Sequence, residues 1–214
     1  MIAYLGLMGA QDGVAHLILA LHRLLHDLGR MKFRCLLIGS GEEESNLRAL
    51  THSLGLDRYV QFMGFIPDPD YIPYLLAADI CVDPDPFSEY NDCSTMVKIM
   101  DYMTVGKPIV AFDLQETRRS AAGAALYVKP DDELEFAKAL AFLMDHPEQR
   151  RAMGAIGRAR VEGALSWSAS AKVLLRVYST LAADSRGIAE RDASADAGFS
   201  MLSSECGIQE VERR

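Results

Sequence analysis

Residues 90–108, YNDCSTMVKIMDYMTVGKP, hold the densest group of side chains suited to binding an anion. Asn91, Asp92, Ser94 and Thr95 are all of the types that cap helix N-termini, so a helix is expected over about residues 94–105. The free backbone N–H groups at its start, near Ser94, Thr95 and Met96, attract negative charge. Lys98 lies one turn in and can add a cation. Asp101, a further turn along, offers a carboxylate that can accept hydrogen bonds from sugar hydroxyls. The competing reading is an ordinary capped helix with Lys98 and Asp101 as a solvated i, i+3 pair, worth about 0.2–0.5 kcal/mol. Spacing alone leans slightly toward that plainer reading.

Other groups carry weaker signals. Gly39-Ser40-Gly41 follows an apolar run and opens a helix, but Glu42, Glu43 and Glu44 come next and no third glycine follows. Three carboxylates suit a helix N-terminus and repel a pyrophosphate, so this is not a dinucleotide fingerprint. A tight turn, or a wall for a neutral base or ribose, are the two readings left. Asp68-Pro69-Asp70 and Asp83-Pro84-Asp85 each place two acids one residue apart, a spacing that can share a divalent ion. His22 and His26 stand at i, i+4 with no third ligand suggested, so solvated histidines are expected there. Met96, Met100 and Met103 recur at helical spacing and read as core. Arg118 and Arg119 read as surface arginines.

These residues are carried by alternating strand-like and helix-like segments. Strands are expected over residues 2–6, 33–39, 59–63, 78–82, 108–112 and 124–128. Helices are expected over 13–28, 42–54, 69–77, 94–105, 116–121, 132–145, 147–162 and 166–182. In the first helix Val14, Leu17, Ile18, Leu21, Leu24, Leu25 and Leu28 share one face, with Asp12 placed to cap it and Gly29 to end it. Apolar strands alternating with amphipathic helices predict an α/β fold, a doubly wound, Rossmann-like parallel sheet with extra C-terminal helices. Its ligand belongs beyond the carboxyl ends of the strands, at the switch point. Residues 1–183 read as one domain. Residues 184–214 are small, polar and without sustained period, and read as a disordered or loosely helical tail, with an amphipathic partner helix as the alternative.

The formal net charge of −8 and the lack of a basic stripe argue against nucleic acid as a partner. No apolar run is long enough to span a bilayer and the start lacks a signal-peptide pattern. Four cysteines without a CxxC pair read as reduced thiols, so a cytoplasmic location is expected.

The order of segments resembles the donor-binding C-terminal half of family 4 (group 1) GT-B glycosyltransferases, in a branch associated with exopolysaccharide assembly. The resemblance rests on LLIGSGEEE, YVQFMGFIP, LLAADICVDPDP, STMVKIMDYMTVGKPIVAFD, GAALYV and a final Ser166-Trp167 segment ending at Tyr178. It covers about residues 2–182. It implies transfer of a glycosyl group from a nucleoside diphosphate sugar, UDP-linked, with retained configuration, in polysaccharide or glycolipid biosynthesis. Neither a cofactor nor a metal is implied. Ser94, Thr95, Met96 and Lys98 would meet the diphosphate and Asp101 the ribose. Gly39, Ser40 and Gly41 would lie beside the nucleoside, with Gly64, Phe65 and Ile66 near the base.

The family has two acids eight positions apart, and the first falls on Cys93 here, with Glu89 or Asp92 as the acids able to reach the donor sugar. Where the family places a lysine before the first helix, this chain has Gln11-Asp12-Gly13. A branch-specific variant and a degraded site are both consistent with that. The acceptor-binding half of such enzymes has no counterpart in the sequence, so the chain alone is expected to be inactive or very weak. Its expected partners are the donor, a separate acceptor-domain chain, and a membrane-bound acceptor met peripherally. A non-catalytic nucleotide-binding or interaction module is the rival class. A nicotinamide-dependent oxidoreductase is disfavoured by the acidic glycine turn.

Overall fold

A computed structural model describes residues 1–182. Six strands, β1 (Ile2–Leu5), β2 (Cys35–Ile38), β3 (Val60–Gly64), β4 (Ile80–Asp83), β5 (Ile109–Phe112) and β6 (Ala125–Val128), form one sheet. The order is β3-β2-β1-β4-β5-β6 and every pairing is parallel. This is the doubly wound order expected from the alternating pattern. Strands β2, β4 and β5 are buried along their whole length, because helices cover both faces.

On one face pack α1 (Val14–His26), α2 (Glu44–Ser53) and α7 (Glu133–Asp145); α5 (Val97–Thr104), α6 (Gln115–Ala121) and α8 (Pro147–Glu162) pack together on the other. Two short helices, α3 (Ile72–Ala77) and α4 (Glu89–Cys93), lead into β4 and α5. The α1 stripe is buried as its period predicts, at Val14, Leu17, Ile18, Leu21 and Leu24. Each such side chain contributes about 1.5–3 kcal/mol by leaving water. Asp132 caps α7 by accepting from the Glu135 amide at 3.0 Å.

Two local expectations are corrected. The segment expected as one helix over 94–105 is two. Ser88 caps α4 by accepting from the Asn91 amide, and the backbone is then extended at Ser94 and Met96 before α5 begins. Asn91, Asp92, Ser94 and Thr95 therefore do not cap α5, whose N-cap, Met96, makes no side-chain bond. Asp12 likewise does not cap α1. Its carboxylate accepts from the Gly9 amide at 2.9 Å, and Gly13 occupies the cap position at φ +63°. Only glycine fits there: a Cβ would lie 1.9 Å from the Pro84 carbonyl oxygen.

Residues Met1–Ala164 form one compact unit, and a second begins at Leu165. In the second, a helix over 167–182 exposes Trp167, Leu174, Tyr178 and Leu181. The stretch expected as a tail, with Cys206, lies outside the described residues. Among the described residues no helix is long and apolar enough to cross a membrane.

Candidate functional site

The switch point falls between β1 and β4, the central pair from which the chain runs on to helices on opposite faces. Their ladder pairs Ile2 with Ile80 and Ala3 with Cys81, then stops. The Tyr102 hydroxyl takes over beyond that point. It accepts from the Leu5 amide at 2.8 Å and donates to the Val82 carbonyl at 3.1 Å. A buried phenol on α5 thus sits between two strand ends that would otherwise bond each other, and the sheet parts above it.

Two loops border the opening, residues 6–13 after β1 and 84–88 after β4. Their backbones touch at Gly13 and Pro84. The buried Asn91 amide joins them again, donating from Nδ2 to Gln11 O at 3.0 Å and to Pro86 O at 2.9 Å. The β2 turn closes against the first loop. Gly39, at φ +131°, leaves no room for a Cβ beside Gly6 O, and Gly41 lies against the Met8 backbone. The Met8 amide donates to Ser40 O, and Gly39 donates to Gly64 O. Gly39 and Gly41 are therefore required for close loop packing, and Ser40 enters it through its backbone carbonyl, whatever ligand they also face.

Under this opening lies a buried charge cluster. Lys98, 8% exposed, places Nζ 2.6 Å from Asp85 Oδ1 and 3.2 Å from Asp83 Oδ1, and 5.1 Å from the centre of the Tyr4 ring. The Asp83 contact is an ion pair without hydrogen-bond geometry, leaving that oxygen with no hydrogen-bond partner. Burial and the neighbouring Asp83 carboxylate push the Asp85 carboxyl up to about 8, against the pull of Lys98. Burial works against the Lys98 charge too, but Asp83, Tyr4 and Asp85 hold its ammonium protonated well above the usual lysine range. The plainer reading of Lys98 as a solvated partner of Asp101 is thus corrected.

The remaining candidates are spread around the same edge. Among the described residues, no acceptor is found for the backbone amides of Thr95, Met96, Val97 and Lys98, while the Ser94 amide is used by Asn91 O. Asp101 is half-buried; burial raises its carboxyl, opposed by a hydrogen bond from Tyr71, with Asp68 raising it further. Asp92 accepts from the Gln115 amide at 2.8 Å, and Thr95 donates to Glu116 at 2.9 Å, tying this segment to α6. Glu89 and Cys93 are exposed, the thiol pointing back to Glu89 O at 3.1 Å. Phe65 is exposed beyond β3, with Ile66 partly covered.

Sequence reasoning missed Tyr4, Asn91 and Tyr102 as organisers of the site, and saw in Asp83 and Asp85 only a spacing able to share a metal, a reading it disfavoured. The signal was present in one respect: two acids at the end of an otherwise apolar strand need a cation, and Lys98 is the lysine of the next long helix. A concavity opens at the opposite, amino edge, among Met1, Met31, Phe33, Arg34, Arg58 and Tyr59. A doubly wound sheet binds its ligand at the carboxyl edge, so that hollow is not the candidate.

The chain matches the family "Glycosyl transferases group 1" over residues 1–146 and belongs to it. It is 34% identical over 137 residues to a GDP-mannose-dependent monoacylated alpha-(1-6)-phosphatidylinositol monomannoside mannosyltransferase of Corynebacterium glutamicum, covering 62% of this chain and 35% of that protein. Its fold matches sucrose-phosphate synthase of Thermosynechococcus elongatus at TM-score 0.73 and 24% identity, over 85% of this chain and 45% of that one. Anabaena Alr3699/HepE, solved with UDP, matches at TM-score 0.66 and 18% identity, over 85% and 48%. The chain therefore spans about a third to a half of the length of these relatives. It is a member of the group 1 glycosyltransferase family with the Rossmann-like fold of the GT-B structures it matches.

Proposed function

We propose that the β1/β4 opening binds the nucleoside diphosphate of an activated sugar, and that the chain supplies the donor half of a retaining glycosyltransferase. The observation that carries this is the set of unpaired amides at the start of α5, at the carboxyl edge beside the switch point, in a member of the group 1 family. Amides from Thr95 to Lys98 would hold the diphosphate and stabilise charge on it as the glycosyl bond breaks. Asp101 would hold the ribose; Tyr71 uses only part of the acceptor capacity of its carboxylate. Gly39, Ser40, Gly41, Phe65 and Ile66 would frame the nucleoside. Glu89, Asp92 and Cys93 lie on the short helix that would face the donor sugar.

The base is proposed as uracil, with guanine the alternative, since one relative named above uses GDP-mannose and one fold neighbour was solved with UDP. Polysaccharide or glycolipid assembly in the cytoplasm, on a membrane-bound acceptor, is the proposed setting. The acceptor half would come from another segment or another chain. A second reading, a nucleotide-binding module without turnover, is favoured by the share of the relatives that this chain spans.

Asp101→Ala tests the site. Calorimetric titration of the 214-residue chain should show UDP affinity lowered several-fold with the melting temperature retained. Unchanged affinity for UDP and GDP would remove Asp101 from the site.

A further inference from the structure

Lys98 stands in the first turn of α5, whose amides form the proposed diphosphate site, yet its geometry points away from a ligand role. Its ammonium donates a hydrogen bond to Asp85 and stands in an ion pair with Asp83. Here Asp85 and Asp83 lie 2.6 Å and 3.2 Å from Nζ, and the Tyr4 ring face covers it at 5.1 Å. Turning Lys98 toward a phosphate would abandon two carboxylates that are each 1% exposed, which is far costlier than one new contact returns. The groups facing the ammonium are Asp83 and Asp85 from β4 and its loop and Tyr4 from β1, with Asp12 acting on both Tyr4 and Asp85.

The position of Asp85 shows what the pairing does. It stands between Pro84, whose carbonyl oxygen abuts Gly13, and Pro86, whose carbonyl accepts from Asn91. Asn91 also holds Gln11. Fixing Asp85 therefore fixes the loop after β4 against the loop after β1. Lys98 does so from the first turn of α5, the same turn whose amides are unpaired.

We propose that Lys98 is a positioning residue: it neutralises the buried Asp83–Asp85 pair and so holds the two switch-point loops and the α5 start in the shape that receives the diphosphate, without touching it. This rests on the donor reading above. It also accounts for the acid at position 12, since a site whose anion is met by amides does not depend on a lysine before α1.

The test uses the full chain, with melting temperature and calorimetric affinity for UDP, GDP and uridine. The variants are Lys98→Met and the charge-free triple Asp83→Asn/Asp85→Asn/Lys98→Met. Lys98→Met should lower the melting temperature and weaken nucleoside diphosphate binding by about tenfold or more, as loss of placement does. The triple variant should regain both, because no buried carboxylate is left uncompensated. A triple variant that melts as the wild type does, keeps uridine and loses the diphosphate would overturn the proposal and make Lys98 a direct ligand. So would a triple variant that fails to regain the wild-type melting temperature, or a Lys98→Met variant unchanged in both readouts. Wild-type chain that binds neither UDP nor GDP would instead overturn the donor reading itself, and the positioning role with it.

Discussion

Tyr102→Phe isolates the device that opens the sheet. The substitution keeps the ring, which is fully buried in α5, and removes one oxygen. That oxygen makes two backbone hydrogen bonds, to the Leu5 amide at 2.8 Å and the Val82 carbonyl at 3.1 Å. Each is worth about 1 kcal/mol net, and a backbone group left dry costs about 1–3 kcal/mol, so a loss of roughly 2–4 kcal/mol is expected. For a chain of this size, roughly 2–4 °C is lost per kcal/mol, which places the low end of the drop at about 4–8 °C. Differential scanning calorimetry of wild type and variant reads this directly. An unchanged melting temperature would refute the reasoning: it would mean that Leu5 and Val82 close on each other once the hydroxyl is gone, and that nothing is gained by parting the strands there.

Gly13→Ala should destabilise the chain by about 1–3 kcal/mol or prevent folding, because φ is +63° and the new Cβ would lie 1.9 Å from Pro84 O; chemical denaturation measures it. Stability should also fall as pH rises from about 4 to about 8. Burial and Asp83 raise folded Asp85 above the ordinary carboxyl of the unfolded chain, so in that window the folded state holds protons that the unfolded chain has released, and stability declines until they too are lost. Lys98, raised from its ordinary value, acts only above that window. Asp85→Asn should flatten this slope in urea titrations at a series of pH values, and a slope unchanged by the substitution would assign it to other groups.

The fold was legible because its signals are local and repeated. Buried strands such as CLLI and IVAF have no polar alternation, the α1 stripe keeps its period over four turns, and Pro147 and Asp132 mark helix starts by type. The site was legible only in outline. Four capping residues in a row, Asn91, Asp92, Ser94 and Thr95, cannot reveal which helix they serve. The answer came from Ser88 and from an extended backbone at Met96. Lys98 and Asp101 sit three residues apart on one helix, and spacing cannot tell that one turns inward to β4 while the other meets Tyr71. Nor does a sequence show that Gly39 and Gly13 are set by the approach of other backbones, since those contacts join segments far apart in the chain.

The central claim is that this chain binds a nucleoside diphosphate at the β1/β4 opening. Calorimetric titration of the purified chain with UDP, GDP, their hexose conjugates and NAD tests it most directly. The account predicts saturable one-site binding of UDP or GDP, retained with the sugar attached and absent for NAD. Binding of NAD in preference to both, or binding of none of these ligands, would contradict it.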